Sequence, residues 1–227
     1  NLGVDGSAQA TMPSVSAPAP GQASSLPLDR TERPAGARDN LLPSDGEAWL
    51  VGEALSSADA ERLFRRLHQD ITWRQDEATI MGRQLPIPRL QAWYGDGSYV
   101  YSGIRLVARP WTEPLLELKV RAERLAGHMF NSVLANLYRH GADSVAWHAD
   151  AEPALGRNPV IASFSLGSVR RFDLRHRRTG ERRSIALPSG SCLIMAGMTQ
   201  HCWQHRIAKT SRPVGARINL TFRLIRP

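Results

Sequence analysis

Apolar positions at helical spacing predict a helix in the first third of the chain. Leu63, Phe64 and Leu67 share one helical face. Ser56 stands at the start of this segment, and Asp59 follows three residues later, as in an N-terminal capping box. The pattern therefore predicts a helix that begins after Ser56.

A second helix is predicted from Thr112 to Leu125, with Pro114 in its first turn and Gly127 beyond its end. Beyond Phe130, short runs rich in Val, Ile, Phe and Leu alternate with glycines, which is typical of strands and turns. A series of short strands after two helices indicates a sandwich or barrel with the helices packed outside it. We expect a mainly β fold of the α+β class.

The first 40 residues differ from the rest in composition. Ala, Pro, Gly and Ser supply 21 of them, and few large apolar side chains are present to offset the entropy of ordering the segment. We expect residues 1–40 to form a flexible tail and residues 41–227 to form the folded domain.

Basic residues exceed acidic ones by 29 to 21, and all but two of the basic residues are arginines. Such a charge suggests a polyanionic partner such as nucleic acid, although a GC-rich genome also favours arginine codons. One dense cluster surrounds a predicted hairpin turn at Thr179 and Gly180, where it forms either a phosphate-binding surface or a solvated face. Its members are Arg170, Arg171, Arg175, Arg177, Arg178, Arg182 and Arg183.

Other features exclude several classes of protein. No apolar run reaches the roughly 18 residues of a membrane span, and no signal peptide is visible, so we expect no membrane partner. Cys192 and Cys202 are too few for a disulfide scaffold, which favours a reducing cytoplasm. We expect a cytoplasmic monomer, associated with the nucleoid if the source is bacterial.

The most regular strand pattern lies near the carboxyl end, over residues 217–224. Ile218, Leu220, Phe222 and Leu224 fall on one face and polar residues on the other. The polar face is either exposed to water or lines a barrel interior, where buried guanidinium groups require an anion such as a small dicarboxylate. The polar residues are Arg217, Asn219, Thr221 and Arg223.

A candidate metal site centres on His148 and Asp150, which point the same way in a strand. One more histidine would complete the set of two histidines and one carboxylate that holds non-haem Fe(II). His201 and His205 are both candidates, because a spacing of four residues places them on one face in either a helix or a strand. Zinc is an alternative, since Cys202 adds a sulfur ligand.

Asn136 and Tyr138 share a face at the end of another predicted strand. They could hydrogen-bond a carboxylate inside a barrel, or they are ordinary polar residues at a strand end.

Together these motifs resemble the AlkB family of Fe(II)- and 2-oxoglutarate-dependent dioxygenases from about residue 80 onwards. The resemblance is closest to the subgroup that acts on nucleic acid through a hairpin finger. The segments that carry it are Pro88-Arg89, Ala92-Trp93-Tyr94-Gly95, Tyr99-Val100-Tyr101-Ser102, Asn136-x-Tyr138, Asp143, His148-x-Asp150, Trp203-x-His205 and Arg217-x-Asn219-Leu220-Thr221-Phe222-Arg223.

The resemblance implies roles for individual residues. His148, Asp150 and His205 would bind iron as the catalytic centre, and His201 would not. Ala151 replaces an acidic residue that is usual after the ligand Asp, while Glu152 is retained as a substrate contact. The residues that would bind the cosubstrate 2-oxoglutarate are Asn136, Tyr138, Arg217, Asn219, Thr221 and Arg223.

The implied fold is a double-stranded β-helix, or jelly roll, over residues 129–227, with helices and nucleotide-recognition hairpins over 41–128. The implied reaction uses Fe(II), 2-oxoglutarate and O₂ to demethylate N-alkylated bases of the 1-methyladenine and 3-methylcytosine type in DNA or RNA, releasing formaldehyde, succinate and CO₂. The alternatives are hydroxylation of a protein or small molecule, and a nucleic-acid-binding module without activity.

Three further groups would contact the nucleic acid. Tyr99 and Tyr101 would stack on a base taken out of its helix, or they are ordinary strand aromatics. Met81 would wedge into the base stack from the finger, or it is a surface residue of a loop. The third group would contact phosphates and consists of Arg175, Arg177 and Arg178.

Overall fold

The computed structural model describes residues 33, 37, 39–80, 82–96, 98–101 and 104–226, with the backbone alone for 78–80, 98–101 and 104–107. The helices are α1 Ser57–Asp70, α2 Glu113–Ala126 and α3 Thr199–Cys202, with a 3-10 turn at Pro153–Leu155. The strands are β1 Glu47–Val51, β2 Glu77–Ile80, β3 Arg83–Pro86, β4 Leu90–Gly95, β5 Ser98–Tyr101, β6 Ile104–Val107, β7 Ser132–Tyr138, β8 Val145–His148, β9 Ile161–Gly167, β10 Arg170–His176, β11 Arg182–Leu187, β12 Ser191–Ala196, β13 Trp203–Ile207 and β14 Arg217–Arg223.

Both predicted helices are present and begin where the capping residues indicate. The Ser56 hydroxyl accepts a hydrogen bond from the Asp59 backbone N–H at 3.1 Å and so satisfies one of the free donors of the first turn of α1. Pro114 occupies the first turn of α2, and Gly127 ends this helix in the left-handed conformation with φ 59°.

The strands form two larger antiparallel sheets. The six-stranded major sheet has the order β1-β12-β9-β14-β7-β4, and the four-stranded minor sheet has the order β11-β10-β13-β8. Strands β7 to β14 are thus shared between the two sheets in the pattern of a jelly roll, which confirms the predicted fold class. Strands β1 and β4 come from the part of the chain before residue 129 and extend the major sheet at its two edges.

The two faces of the major sheet pack against different partners. On the outer face, α1 and α2 contribute fully buried leucines, among them Leu63, Leu67, Leu115 and Leu118. Each such leucine contributes about 1.5–3 kcal/mol of transfer free energy on burial. The inner face meets the minor sheet through a second apolar cluster that includes Phe172, Leu174 and Trp203. The site lies in this inner space.

Two hairpins, β2–β3 and β5–β6, stand apart from the larger sheets as separate two-stranded ribbons. Residues 82–86 of the first hairpin are exposed. Met81 lies outside the described residues, as do the side chains of Tyr99 and Tyr101. Among the described residues, no helix combines the length and apolar character that crossing a membrane requires.

Candidate active site

Two strands of the minor sheet bring the three candidate metal ligands together. His148 in β8 and His205 in β13 are register partners, and Asp150 follows two residues after His148. One ligand atom from each of the three side chains lies within 4.8 Å of the others. Local structure favours His205 over His201, because exposed His201 lies in α3, which ends at Cys202, whereas β13 directs His205 inward.

The electrostatic environment keeps His205 and Asp150 in the protonation states that a metal requires. Burial and, to a smaller extent, nearby His148 lower the pKa of His205 to about 3, so the ring is neutral at pH 7. Burial raises the pKa of the Asp150 carboxyl, but Arg223 and the two histidines outweigh this effect and hold it at about 2. Two neutral imidazoles and one carboxylate are the ligand set expected for non-haem Fe(II).

Neighbouring groups fix the orientation of the ligands. The Arg223 guanidinium lies 2.9 Å from the Asp150 carboxylate, and the Asp150 backbone N–H donates to Gln200 Oε1 at 2.9 Å. The ring of Phe172 stacks on His205 with centroids 5.1 Å apart. The buried Nδ1 of His205 has no hydrogen-bond partner among the described residues. Such an orphaned nitrogen in a built polar site fits a metal-binding role.

The polar face of β14 lies between the two sheets, so the interior interpretation of this strand is correct. All four of its polar residues are at most 9% exposed. Asn219 Nδ2 donates to Ser163 Oγ at 2.7 Å, and Thr221 Oγ1 donates to Asn219 Oδ1 at 3.1 Å. The polar side chains of β14, with Ser163 of β9, thus form a buried polar surface beside the candidate metal ligands, which we call the polar floor.

Arg217 is the least compensated charge on this floor. It is 1% exposed, and its Nη2 donates to Ser165 Oγ at 2.9 Å. Its Nε and Nη1 atoms have no hydrogen-bond partner within the described part of the chain. Burial lowers the pKa of the guanidinium to about 10, which leaves it charged at pH 7. A buried cation with two free donors fits a carboxylate ligand.

Asn136 and Tyr138 also face the interior, on β7 beside β14. Asn136 Oδ1 accepts from Arg89 Nε at 3.0 Å and contacts the Gln91 side-chain amide at 2.8 Å. The Arg217 guanidinium lies over the Tyr138 ring, 5.3 Å from its centroid. The structure therefore places both predicted residues along the wall that leads from β4 to Arg217.

Other predicted residues lie at the margin of this site. Glu152 is partly buried at the start of the 3-10 turn, and its Oε2 atom has no partner among the described residues. Exposed His201 contacts the Arg157 carbonyl oxygen outside the triad. Cys202 is not a member of the ligand group, so the described residues do not assemble the mixed nitrogen and sulfur set considered for zinc.

The arginine-rich segment forms the predicted hairpin, β10–β11, but its arginines do not share one environment. Arg170 is 4% exposed and points inward, so its assignment to a surface cluster was wrong. Arg177 and Arg178 are exposed at the turn, where Gly180 adopts φ 73°. An open cleft of about 510 Å³ lies at this turn and is lined by Arg175, His176, Arg177, Arg178, Thr179, Gly180 and Gln204.

Buried His176 holds the turn of this hairpin in shape. Its Nδ1 accepts from the backbone N–H groups of Thr179 at 3.1 Å and Arg178 at 3.3 Å. Its Nε2 lies 3.2 Å from Asp45 Oδ2, and its ring meets Trp203 edge-on. The cleft is thus anchored to the interior of the jelly roll.

Trp147 connects the outer face of the minor sheet to the metal site. Its ring lies beneath the guanidinium groups of Arg175 and Arg206, at 4.6 and 4.5 Å. Arg206 Nε in turn donates to Asp173 at 3.0 Å. Strand β8 is at the sheet edge and is interrupted by a bulge, so its backbone pairing alone holds it weakly. We infer that this clamp on Trp147 steadies the adjacent His148.

Replacing Trp147 with alanine is therefore expected to weaken metal binding. Two cation–π contacts of roughly 0.5–1 kcal/mol each sum to about 1–2 kcal/mol, so the loss of affinity is expected to be at most about 30-fold. Titration of the apoprotein with Co(II), followed by visible absorption, measures this effect. Trp147→Phe keeps an aromatic face and is expected to stay within about threefold of the unsubstituted protein. Equal affinities in all three proteins would show that the clamp has no influence on His148.

Sequence reasoning missed several residues of the site, although some left a signal. Ser163 and Ser165 alternate with Ala162, Phe164 and Leu166 along β9, so period two already placed both hydroxyls on one face. Gln200 and Gln91 carried no such signal, because their roles depend on strands and turns that are distant in sequence.

Comparisons with known proteins agree with this geometry. The family model described as the 2OG-Fe(II) oxygenase superfamily matches residues 48–223. The alpha-ketoglutarate-dependent dioxygenase alkB homolog 3 of Bos taurus is 44% identical over 179 residues, which are 74% of this chain and 63% of that protein. The DNA oxidative demethylase ALKBH2 of Mus musculus is 34% identical over 215 residues, which are 86% of this chain and 90% of that protein.

A solved structure of OsALKBH1 has the same fold, with a TM-score of 0.59 at 16% identity over 78% of this chain and 96% of that one. The chain spans slightly less than two thirds of the length of the alkB homolog 3 proteins that it matches. The family model and the identity to both groups of relatives lead to one conclusion. The chain belongs to the AlkB family of the 2OG-Fe(II) oxygenase superfamily.

Proposed function

We propose that the protein oxidatively removes methyl groups from N-alkylated bases of nucleic acid. The observation that carries this proposal is the pairing of a compact His148, Asp150 and His205 triad with the buried, anion-seeking Arg217. A two-histidine, one-carboxylate site next to a carboxylate-binding guanidinium is the arrangement that Fe(II) and 2-oxoglutarate require. Relatives named as dioxygenases and as DNA oxidative demethylases support the same reaction.

The residues present fit the iron and the cosubstrate. Bound Fe(II), 2-oxoglutarate and O₂ supply the oxidising chemistry that hydroxylates a methyl carbon, and the products are formaldehyde, succinate, CO₂ and the restored base. His148, Asp150 and His205 would hold the metal. The surrounding polar floor binds the cosubstrate and keeps bulk water from it.

The two arginines of β14 have different partners, which supports different roles for them. Arg223 is already paired with the metal ligand Asp150 at 2.9 Å, so it acts beside the metal. Arg217 has no carboxylate partner among the described residues, so it is available for the cosubstrate carboxylate that is distant from the metal. Tyr138 and Asn136 lie on β7 beside the two arginines, and Asn219 and Thr221 lie between these arginines on β14.

A nucleic-acid substrate agrees with the charge of the protein and with the cleft at the β10–β11 turn. The chain carries a formal net charge of +8, and Arg175, Arg177 and Arg178 line one open cleft. A methyl group that blocks base pairing lowers the free energy needed to bring the base out of a duplex, which is otherwise a few kcal/mol. Tyr99 and Tyr101 would stack on the displaced base, and Glu152 would contact it.

Charge reversal at Arg177 and Arg178 tests the role of the cleft. If both side chains contact phosphates, the double Arg177→Glu/Arg178→Glu variant weakens binding. It also reduces the slope of log K against log salt by roughly 1.4 for single strands or 1.8 for duplex DNA. Fluorescence anisotropy with a labelled oligonucleotide across a salt series gives both quantities.

The matched control is Arg65→Glu/Arg124→Glu. These side chains are exposed on α1 and α2, the two helices that pack against the outer face of the major sheet. The control changes the net charge equally and is expected to leave the slope almost unchanged. Equal slopes in both double variants would show that the cleft does not contact the phosphates of the nucleic acid.

Met81 is proposed to enter the base stack from the tip of the β2–β3 hairpin, an assignment supported only by its position in the sequence. Met81→Ala is expected to slow repair of a methylated base in duplex DNA several-fold, because the wedge helps to unstack the base at a cost of a few kcal/mol. Repair in a single strand, where unstacking costs less, stays close to normal. An equal effect on both substrates, or none on either, rejects the wedge.

The substrate itself is tested with oligonucleotides that carry one 1-methyladenine or 3-methylcytosine, presented as single-stranded DNA, duplex DNA and RNA. Mass spectrometry is expected to show loss of one methyl group with 2-oxoglutarate present. If every oligonucleotide keeps its methyl group in a metal-loaded protein that binds 2-oxoglutarate, the substrate is a protein or small molecule instead. We further infer a monomer in the cytoplasm, and the two free cysteines, Cys192 and Cys202, support a reducing compartment.

A further inference from the structure

Arg170 lies in the interior of the jelly roll, and none of the roles above uses it. It begins β10 on the same face as Phe172 and Leu174, and it is 4% exposed. Its guanidinium donates to the carbonyl oxygens of His140 at 3.3 Å, Asp143 at 2.9 Å and Ala208 at 2.7 Å. These contacts satisfy its donors but do not neutralise its charge.

Two buried carboxylates already have direct cationic partners. Asp150 pairs with Arg223 at 2.9 Å, and the Asp143 carboxylate accepts two hydrogen bonds from the exposed Arg139 side chain at 2.8 and 3.0 Å. Arg170 has no comparable side-chain partner among the described residues. Burial lowers the pKa of its guanidinium, an effect that Tyr138 and Asp143 oppose.

Arg170 and Arg217 lie over the same aromatic ring. Their guanidinium carbons are 5.7 and 5.3 Å from the centroid of Tyr138. The positive charge of Arg170 also contributes, after burial, to the lowered pKa of Arg217. The pocket wall around Tyr138 therefore carries two buried positive charges without a matching carboxylate in the described part of the chain.

We propose that Arg170 is a positioning residue that makes the pocket select 2-oxo acids with a second carboxylate over 2-oxo monocarboxylates. This inference rests on the proposed use of 2-oxoglutarate. Arg217 contacts the distal carboxylate directly, whereas Arg170 acts through Tyr138. Its hydrogen bonds to three backbone segments hold the guanidinium over the Tyr138 ring, and its charge adds long-range attraction in a medium of low dielectric constant.

The test compares the binding of 2-oxoglutarate and 2-oxobutyrate to the Mn(II)-loaded protein by anaerobic calorimetry. Arg170→Met is expected to raise the dissociation constant of 2-oxoglutarate about tenfold and to change that of 2-oxobutyrate less than about twofold. Arg170→Lys keeps the charge and is expected to keep the preference for the dicarboxylate within about threefold. The control Arg171→Met removes a charge from the adjacent, outward-facing position and leaves both constants unchanged.

A folded Arg170→Met protein with an unchanged ratio of the two constants would overturn the inference, because a purely structural role predicts that result. If Arg170→Met does not fold, Arg170→Lys decides: a retained ratio supports the role of the charge, and a lost ratio contradicts it. Failure to demethylate nucleic acid with a normal ratio rejects the proposed substrate alone. Normal demethylation with a ratio insensitive to Arg170 rejects this inference alone.

Discussion

Arg217→Met is expected to raise the dissociation constant of 2-oxoglutarate by about 30-fold or more, because loss of one partner from a buried charge pair costs roughly 2–5 kcal/mol. The same substitution is expected not to lower the melting temperature of the ligand-free protein. Arg217 is a buried cation with two unpartnered donors within the described residues, so the apolar side chain relieves a desolvation cost.

Calorimetry with 2-oxoglutarate and a thermal melt of the same samples check both parts of this prediction. Arg171→Met, on the opposite face of β10, serves as the control for loss of one arginine charge. Unchanged affinity in Arg217→Met would mean that the distal carboxylate binds elsewhere. A large fall in the melting temperature would mean that Arg217 has a structural role in the ligand-free fold.

His205→Ala is expected to abolish both metal binding and turnover. Loss of residues that merely orient a metal ligand already lowers affinity 10- to 100-fold, so loss of a ligand should cost more than about 100-fold. Co(II) titration followed by visible absorption measures the affinity, and formaldehyde release measures turnover.

His201→Ala is the natural control, because this histidine is four residues away and lies outside the triad. It is expected to bind metal and turn over substrate normally. If His201→Ala and His205→Ala were equally impaired, the assignment of the third ligand to β13 would be wrong. Metal binding that survives in His205→Ala would contradict the three-residue site itself.

The sequence predicted local patterns more reliably than it predicted their surroundings. Alternation along β14 correctly separated Arg217 from Ile218, but period two cannot state which face is inside a barrel. That depends on β7 and β9, which flank β14, and on the helices that cover the apolar face. Likewise, a spacing of four could not choose between His201 and His205 until the boundary between α3 and β13 was known.

For Arg170 the sequence did contain the relevant pattern, but the many nearby arginines led to a different interpretation. Its alternation with Phe172 and Leu174 placed it on the apolar face of β10, yet its proximity to six other arginines suggested a surface cluster. The Trp147 clamp could not be found in the sequence, because Arg175 and Arg206 reach the ring from two other strands. Side-chain contacts across strands depend on register, which composition does not encode.

We predict that methyl removal from nucleic acid is coupled to 2-oxoglutarate turnover at the triad. The most direct test is to quantify formaldehyde and succinate released from a single-stranded oligonucleotide that carries 1-methyladenine. Equal amounts of the two products are expected, and neither product is expected without 2-oxoglutarate or in His205→Ala. Formaldehyde release that persists without 2-oxoglutarate, or in His205→Ala, would contradict it.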